Sequence, residues 1–173
     1  MSKSKAKNSQ LKLLFLCAEI LLAVVALVLL MATPGVKYSL STLIGGVENP
    51  IAGIACIFGS SDPKVNLTWT GLLSFIFIAV AILLLCVLCV FLVTKKKFAF
   101  ANLCKIIIAG LLIAAGVFVF FTVPAFTGAN GDGSFAAGSI ANAKYSIGAG
   151  WVIGAIVSIA AGAIAGVEVA LDK

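Results

Sequence analysis

Four apolar runs, each long enough to cross a bilayer, constrain this chain more than anything else in its sequence. Leu13 to Ala32 is apolar apart from Glu19, and Gly71 to Val93 carries no charge. Phe98 to Val123 is interrupted only by Asn102 and Lys105, and Ile147 to Val167 is uncharged again. At a rise of 1.5 Å per residue, about 20 residues cover the ~30 Å hydrocarbon core. Backbone N–H and C=O groups in hydrocarbon must pair within their own segment, so runs of this kind are helices. The expected fold is therefore all-α integral membrane: a four-transmembrane-helix bundle, one membrane domain over residues 1–173, with spans near 13–32, 71–93, 98–123 and 147–170.

Composition supports the same solvent. Hydrophobic residues make up 62% of the chain and charged ones 10%, against roughly 25% charged in soluble domains. The formal net charge of +6 comes from twelve lysines with no arginine. Most of them flank the apolar runs, so the charge reads as anchoring to the lipid bilayer and not as a nucleic-acid surface.

Their placement also orients the chain. Lys3, Lys5, Lys7 and Lys12 precede the first run, and Lys95, Lys96 and Lys97 fill the turn at 94–97. Lys37, Lys64 and Lys144 are all that the other connections hold. Lysine-rich flanks stay inside, which predicts a plasma-membrane protein with both termini cytoplasmic and outer loops at 33–70 and 124–146. The first run, with its internal Glu19, is longer than the apolar core of a cleaved signal peptide and is read as a retained span.

The first outer loop is too long for a plain connection and is expected to be structured. Val36, Tyr38, Leu40, Thr42 and Ile44 alternate with more polar neighbours, as do Val65, Leu67 and Trp69, which predicts two short strands. Between them Pro50 to Gly59 is apolar and reads as a third strand or as a segment dipping into the interface. The second outer loop contains Gly-Ala-Asn-Gly-Asp-Gly-Ser and is expected to be loop with a mobile tip. Lys-Tyr-Ser-Leu from Lys37 and Lys-Tyr-Ser-Ile from Lys144 repeat, but at different places relative to the spans, and the repeat is read as chance.

Catalytic and metal chemistry find little support. Histidine is absent, which removes the commonest general base and metal ligand. Cys86 and Cys89 form a C-x-x-C inside an uncharged helical run and read as small core hydrophobes. Cys56 is the one cysteine in an outer loop, so no internal outer disulfide is expected. Asn66-Leu67-Thr68 matches a glycosylation triplet but lies close to the second span. No catalytic residue, cofactor site or metal site is assigned, and the chain is not expected to be an enzyme.

Glu19 is the most telling residue, because an ionisable group inside a span costs at least ~2.5 kcal/mol and needs a partner. It lies about 10 Å past Lys12 along the helix. Lys105 reaches similar depth from Lys97 in a span of the same direction, so a Glu19 to Lys105 ion pair is expected. Such a pair fixes helix rotation, or else serves as a proton site. Glu168, Asp172 and Lys173 close the chain near the inner face, where charge costs little, and receive no role.

Gly150, Gly154, Ser158, Gly162 and Gly166 form an i, i+4 stripe of small residues on the fourth span. Small residues let helices approach closely. At 100° per residue the stripe drifts around the helix, serving bundle packing or a homo-oligomer face. Trp69 and Trp151, with Tyr38 and Tyr145, stand near the outer boundary and are read, like Lys95, Lys96 and Lys97, as interface anchors.

The order of span, long strand-bearing outer loop, span, short basic turn, span, outer loop, span resembles the claudin-type four-helix architecture. The loop lacks the claudin signature: it has one cysteine, Cys56, and Trp69 is followed by Thr70 and Gly71, so no junction role is implied. "IFGSSD" before "LTWTGLLSF" makes the chain similar to uncharacterised four-span membrane proteins of Gram-positive bacteria. "CAEILLAV" around Glu19 resembles small multidrug transporters, which implies a coupling role for that glutamate. The reading that emerges is a multi-pass membrane protein with a structural, interaction or assembly role through its outer loops and small-residue face. The alternative is a small proton-coupled or small-solute transporter using Glu19.

Overall fold

The computed structural model describes residues 2–42, 45–61, 64–94, 99–130 and 144–171. In chain order the elements are α1 (Ser2–Ala32), β1 (Pro34–Thr42), β2 (Gly45–Ala52), α2 (Gly53–Phe58), β3 (Ser60–Ser61) and β4 (Lys64–Val65). They continue as α3 (Trp69–Val93), α4 (Ala101–Phe120), α5 (Thr122–Asn130), β5 (Lys144–Ile147) and α6 (Ala149–Leu171). Within them Leu11–Ala32, Trp69–Val93, Ala101–Phe120 and Ala149–Ala170 are long and apolar enough to cross a membrane. The chain is a multi-pass membrane protein: a bundle of four helices with a small sheet at one end.

The bundle is a ring. α1 packs on α3 and α6, and α4 packs on α3 and α6, so α1 and α4 face each other across the diagonal. Its core is lined by small residues: Ala23 and Ala26 of α1, Ala81 of α3, Ala109 and Ala115 of α4, and Ala155, Ala161 and Ala165 of α6. In lipid the tails are as apolar as leucine, so close approach of backbones supplies the packing energy. Larger side chains, among them Leu16, Leu30, Ile78, Leu85, Ile108 and Leu112, fill the space between them, while others point outward. Leu21, Leu83, Val90, Ile106 and Ile156 are all more than half exposed, an apolar outer surface suited to lipid.

Hydroxyls bind α4 from both sides. Ser74 on α3 donates to the Ala115 carbonyl at 2.9 Å, and Ser158 on α6 donates to the Leu112 carbonyl at 2.7 Å. Each such bond between membrane helices contributes about 0.6 kcal/mol.

The span limits differ from expectation at the sheet-bearing end. The third apolar run does not continue as one helix to Val123: α4 stops at Phe120, the backbone turns at Phe121, and α5 begins at Thr122. Pro124 falls in the first turn of α5, where its missing N–H costs nothing. The fourth span starts at Ala149 because Lys144–Ile147 is strand.

The sheet joins the two loops. β1 is central, antiparallel to β2 on one side and to β5 on the other. The repeated Lys-Tyr-Ser segments pair with each other: Lys37 faces Ser146, Tyr38 faces Tyr145 and Ser39 faces Lys144. The first loop differs in detail from expectation. Pro50 to Gly59 is strand only as far as Ala52, where it completes β2, and then turns into α2, whose Cys56 and Ile57 are fully buried while Ile54 and Phe58 are about half exposed. The second expected strand shrinks to Lys64–Val65, and Trp69 already belongs to α3. The tip of the second loop and the inner turn with Lys95, Lys96 and Lys97 lie outside the described residues.

Candidate functional site

Two places concentrate the unusual chemistry of this chain: a socket around Trp151 where sheet meets bundle, and a buried charge trio toward the opposite end.

At the socket, Trp151 is 0% exposed, in contrast to its expected place as an interface anchor. Its indole N–H donates to the Leu30 carbonyl at 2.8 Å, satisfying a C=O in the last turn of α1 that the helix cannot use. The ring lies against three glycines. A Cβ added at Gly35 would stand 2.8 Å from Cζ2, at Gly53 2.8 Å from Nε1, and at Gly71 3.0 Å from Cη2. Those glycines come from β1, α2 and α3, so one indole of α6 lies against three other elements and bonds a fourth, α1.

Backbone bonds complete the joint. Gly53 N–H donates to the Thr33 carbonyl at 3.0 Å, Gly148 N–H to the Gly35 carbonyl at 2.9 Å, and Thr68 N–H to the Cys56 carbonyl at 2.8 Å. Cys56 is enclosed beside them, and burial pushes its thiol up to about 12 against partial relief from the Val36 and Gly35 backbone. Trp69, by contrast, is 52% exposed and stacks edge-on against Phe118 at 5.9 Å, where an interface anchor was expected.

A further lock joins the β3–β4 hairpin to α5. Asn130 Oδ1 accepts from the Asn66 N–H at 2.7 Å, and Asn66 Nδ2 donates to the Ala129 carbonyl at 2.9 Å. In the glycosylation triplet, Thr68 is fully buried and the Asn66 amide is already engaged.

The small-residue stripe winds as its 40° drift predicts. Gly150 meets the Thr33 side chain and Gly154 the backbone of Ala26, both on the α1 side. Ser158 bonds α4, and Gly162 lies against Ala109 and Ile113 of α4. Gly166 has nothing near the position of a Cβ and is exposed. The stripe is thus spent inside the bundle except at its end. Of the C-x-x-C pair, Cys86 is exposed on the lipid side and Cys89 is half-buried, so neither is a fully enclosed core residue.

The charge trio corrects the expected ion pair. Lys105 pairs with Glu168, not with Glu19. Diagonal placement explains the difference: α6 lies between α1 and α4 and offers its own carboxylate first. Glu168, assigned no role from sequence, is 6% exposed and Lys105 7%. Glu19 is 0% exposed, feels both groups electrostatically, and has no hydrogen-bond partner on either oxygen. Glu168 Oε1 lacks one as well. The signal that could have found Glu168 is its seat on the Ser158, Ala161, Ala165 face of α6, three or four residues apart along the buried side.

No group of three metal-ligating side chains occurs among the described residues. No protein-family model matches the chain, and no curated protein is similar to it.

Proposed function

We propose that the protein is a non-enzymatic scaffold of the plasma membrane, with both termini cytoplasmic, whose outer sheet holds a fixed surface for interaction or assembly. The observation that carries this reading is the Trp151 socket. A sheet drawn from both loops is clamped to the helix ends by a buried indole, three glycines and a set of backbone bonds. Side-chain packing of that density holds a loop region in one shape and reduces the ordering cost of binding. The resemblance to claudin-type architecture and to Gram-positive four-span proteins belongs to the same proposal, at the level of fold alone.

The test is a photo-crosslinking residue placed at Glu48, which is exposed on β2, in cells that make the protein. Discrete adducts that disappear when Trp151→Ala loosens the sheet are expected, and two differently tagged copies tell self-assembly from another partner. Absence of adducts from Glu48 and its neighbour Pro50 counts against the scaffold.

A proton-coupled transporter using Glu19 is favoured by the bare carboxylate but opposed by its enclosure, since a coupling residue must meet water from one side. Proton flux in proteoliposomes that is unchanged by Glu19→Gln removes that second reading.

A further inference from the structure

We propose that the Glu19–Lys105–Glu168 trio is a proton-binding site built into the bundle, in which Glu19 carries one exchangeable proton shared in the field of the other two groups. The inference goes beyond the scaffold reading and can fail without it.

Two carboxylates and one ammonium leave the trio one positive charge short of neutrality, in a place where uncompensated charge is expensive. Among the described residues, Lys105 is the one cation in a salt bridge with either carboxylate. α3 carries no charged residue over Trp69–Val93, and its titratable side chains are the thiols of Cys86 and Cys89. α4 adds Cys104 beside Lys105, and α1 adds Cys17 on the exposed side. Lys12, the nearest lysine of α1, is exposed and lies about 10 Å away along the helix.

Geometry then points to the occupant. Both oxygens of Glu19 and Oε1 of Glu168 are buried without a hydrogen-bond partner. An alkali cation needs a cage of oxygens around it, whereas these residues offer three unpartnered oxygens next to an ammonium that would repel it. A proton needs one oxygen and no cage, and it turns the Glu19 carboxylate into a donor. Exchange with water requires only the fraying of helix ends, since Glu168 lies three residues from the end of α6.

The experiment treats the full-length protein, in its own membranes, with a membrane-permeant carbodiimide, which reacts with the protonated form of buried carboxyls. An adduct at Glu19 is expected, falling about tenfold per pH unit above its midpoint, as for a single proton. Sodium or potassium at fixed pH is expected to leave it unchanged. Glu168→Gln leaves Glu19 as the carboxylate of Lys105, so labelling of Glu19 drops several-fold at the same pH. Infrared difference spectra between acidic and alkaline buffer give a readout that needs no reagent access: a carbonyl band of a protonated carboxyl, absent from Glu19→Gln. Protection by sodium or potassium would replace the proton with an alkali cation and overturn the assignment. Lack of both adduct and band would overturn the site itself.

Discussion

Tyr38 and Tyr145 stand directly opposite each other on β1 and β5, with ring centroids 6.5 Å apart and planes tilted by 41°. They join the two loops at the centre of identical tripeptides, and Phe126 of α5 approaches Tyr145 at 6.2 Å from another side. A cross-strand aromatic pair contributes roughly 0.2–1 kcal/mol and fixes register, because a slip of one residue would turn every side chain to the wrong face.

That register gives the first prediction. Tyr38→Cys with Tyr145→Cys should cross-link readily on mild oxidation, while Lys37→Cys with Tyr145→Cys should not. Gel mobility with and without reductant reads the outcome.

Trp151 predicts a large and divisible effect. Trp151→Phe keeps an aromatic ring, though a smaller one, and leaves the Leu30 carbonyl without its donor, costing about 1–3 kcal/mol. Trp151→Ala also empties the socket and should cost about 3–5 kcal/mol. Unfolding by sodium dodecyl sulfate in mixed micelles measures both.

The stripe predicts opposite outcomes for two glycines on one helix. A Cβ at Gly162 would come within 2.9 Å of the Ala109 carbonyl oxygen, so Gly162→Ala should destabilise by about 1–3 kcal/mol. Gly166→Ala meets nothing and should be neutral, or stabilising by up to about 1 kcal/mol from helix propensity. The same micelle assay ranks them.

Lys105→Met strips the countercharge from two buried carboxylates and should cost about 3–5 kcal/mol. Combining it with Glu168→Leu should recover much of the loss, because the pair is then replaced by apolar groups. A double-mutant cycle on Lys105 and Glu168 measures the coupling.

Cys56 predicts a pH dependence at the sheet. Its thiol rises from 9.0 to about 12 on folding, so the folded state favours the neutral form. The stabilisation is complete below about pH 9 and is lost as pH climbs through about 12. A water-soluble maleimide should therefore modify Cys56 slowly at neutral pH, and faster once Trp151→Ala opens the joint. Mass spectrometry of the labelled peptide follows it.

The number of spans, their helical form and the winding of the small-residue stripe were legible in the sequence. Each depends only on local hydropathy, on the need of backbone groups to pair in hydrocarbon, and on helix periodicity. Strand β1 was legible for the same reason, since Val36, Tyr38 and Leu40 alternate within one segment. What lies between segments was not. The Lys-Tyr-Ser repeat looked like chance because pairing partners far apart in the chain leave no local trace, and the Trp151 socket needs three glycines from three elements to converge. Depth along parallel helices placed Glu19 and Lys105 at one level, but depth does not say which helices are neighbours. Only the ring order of the bundle, which sets α6 between α1 and α4, decided that Lys105 binds Glu168 and that Glu19 keeps a buried carboxylate with no hydrogen-bond partner.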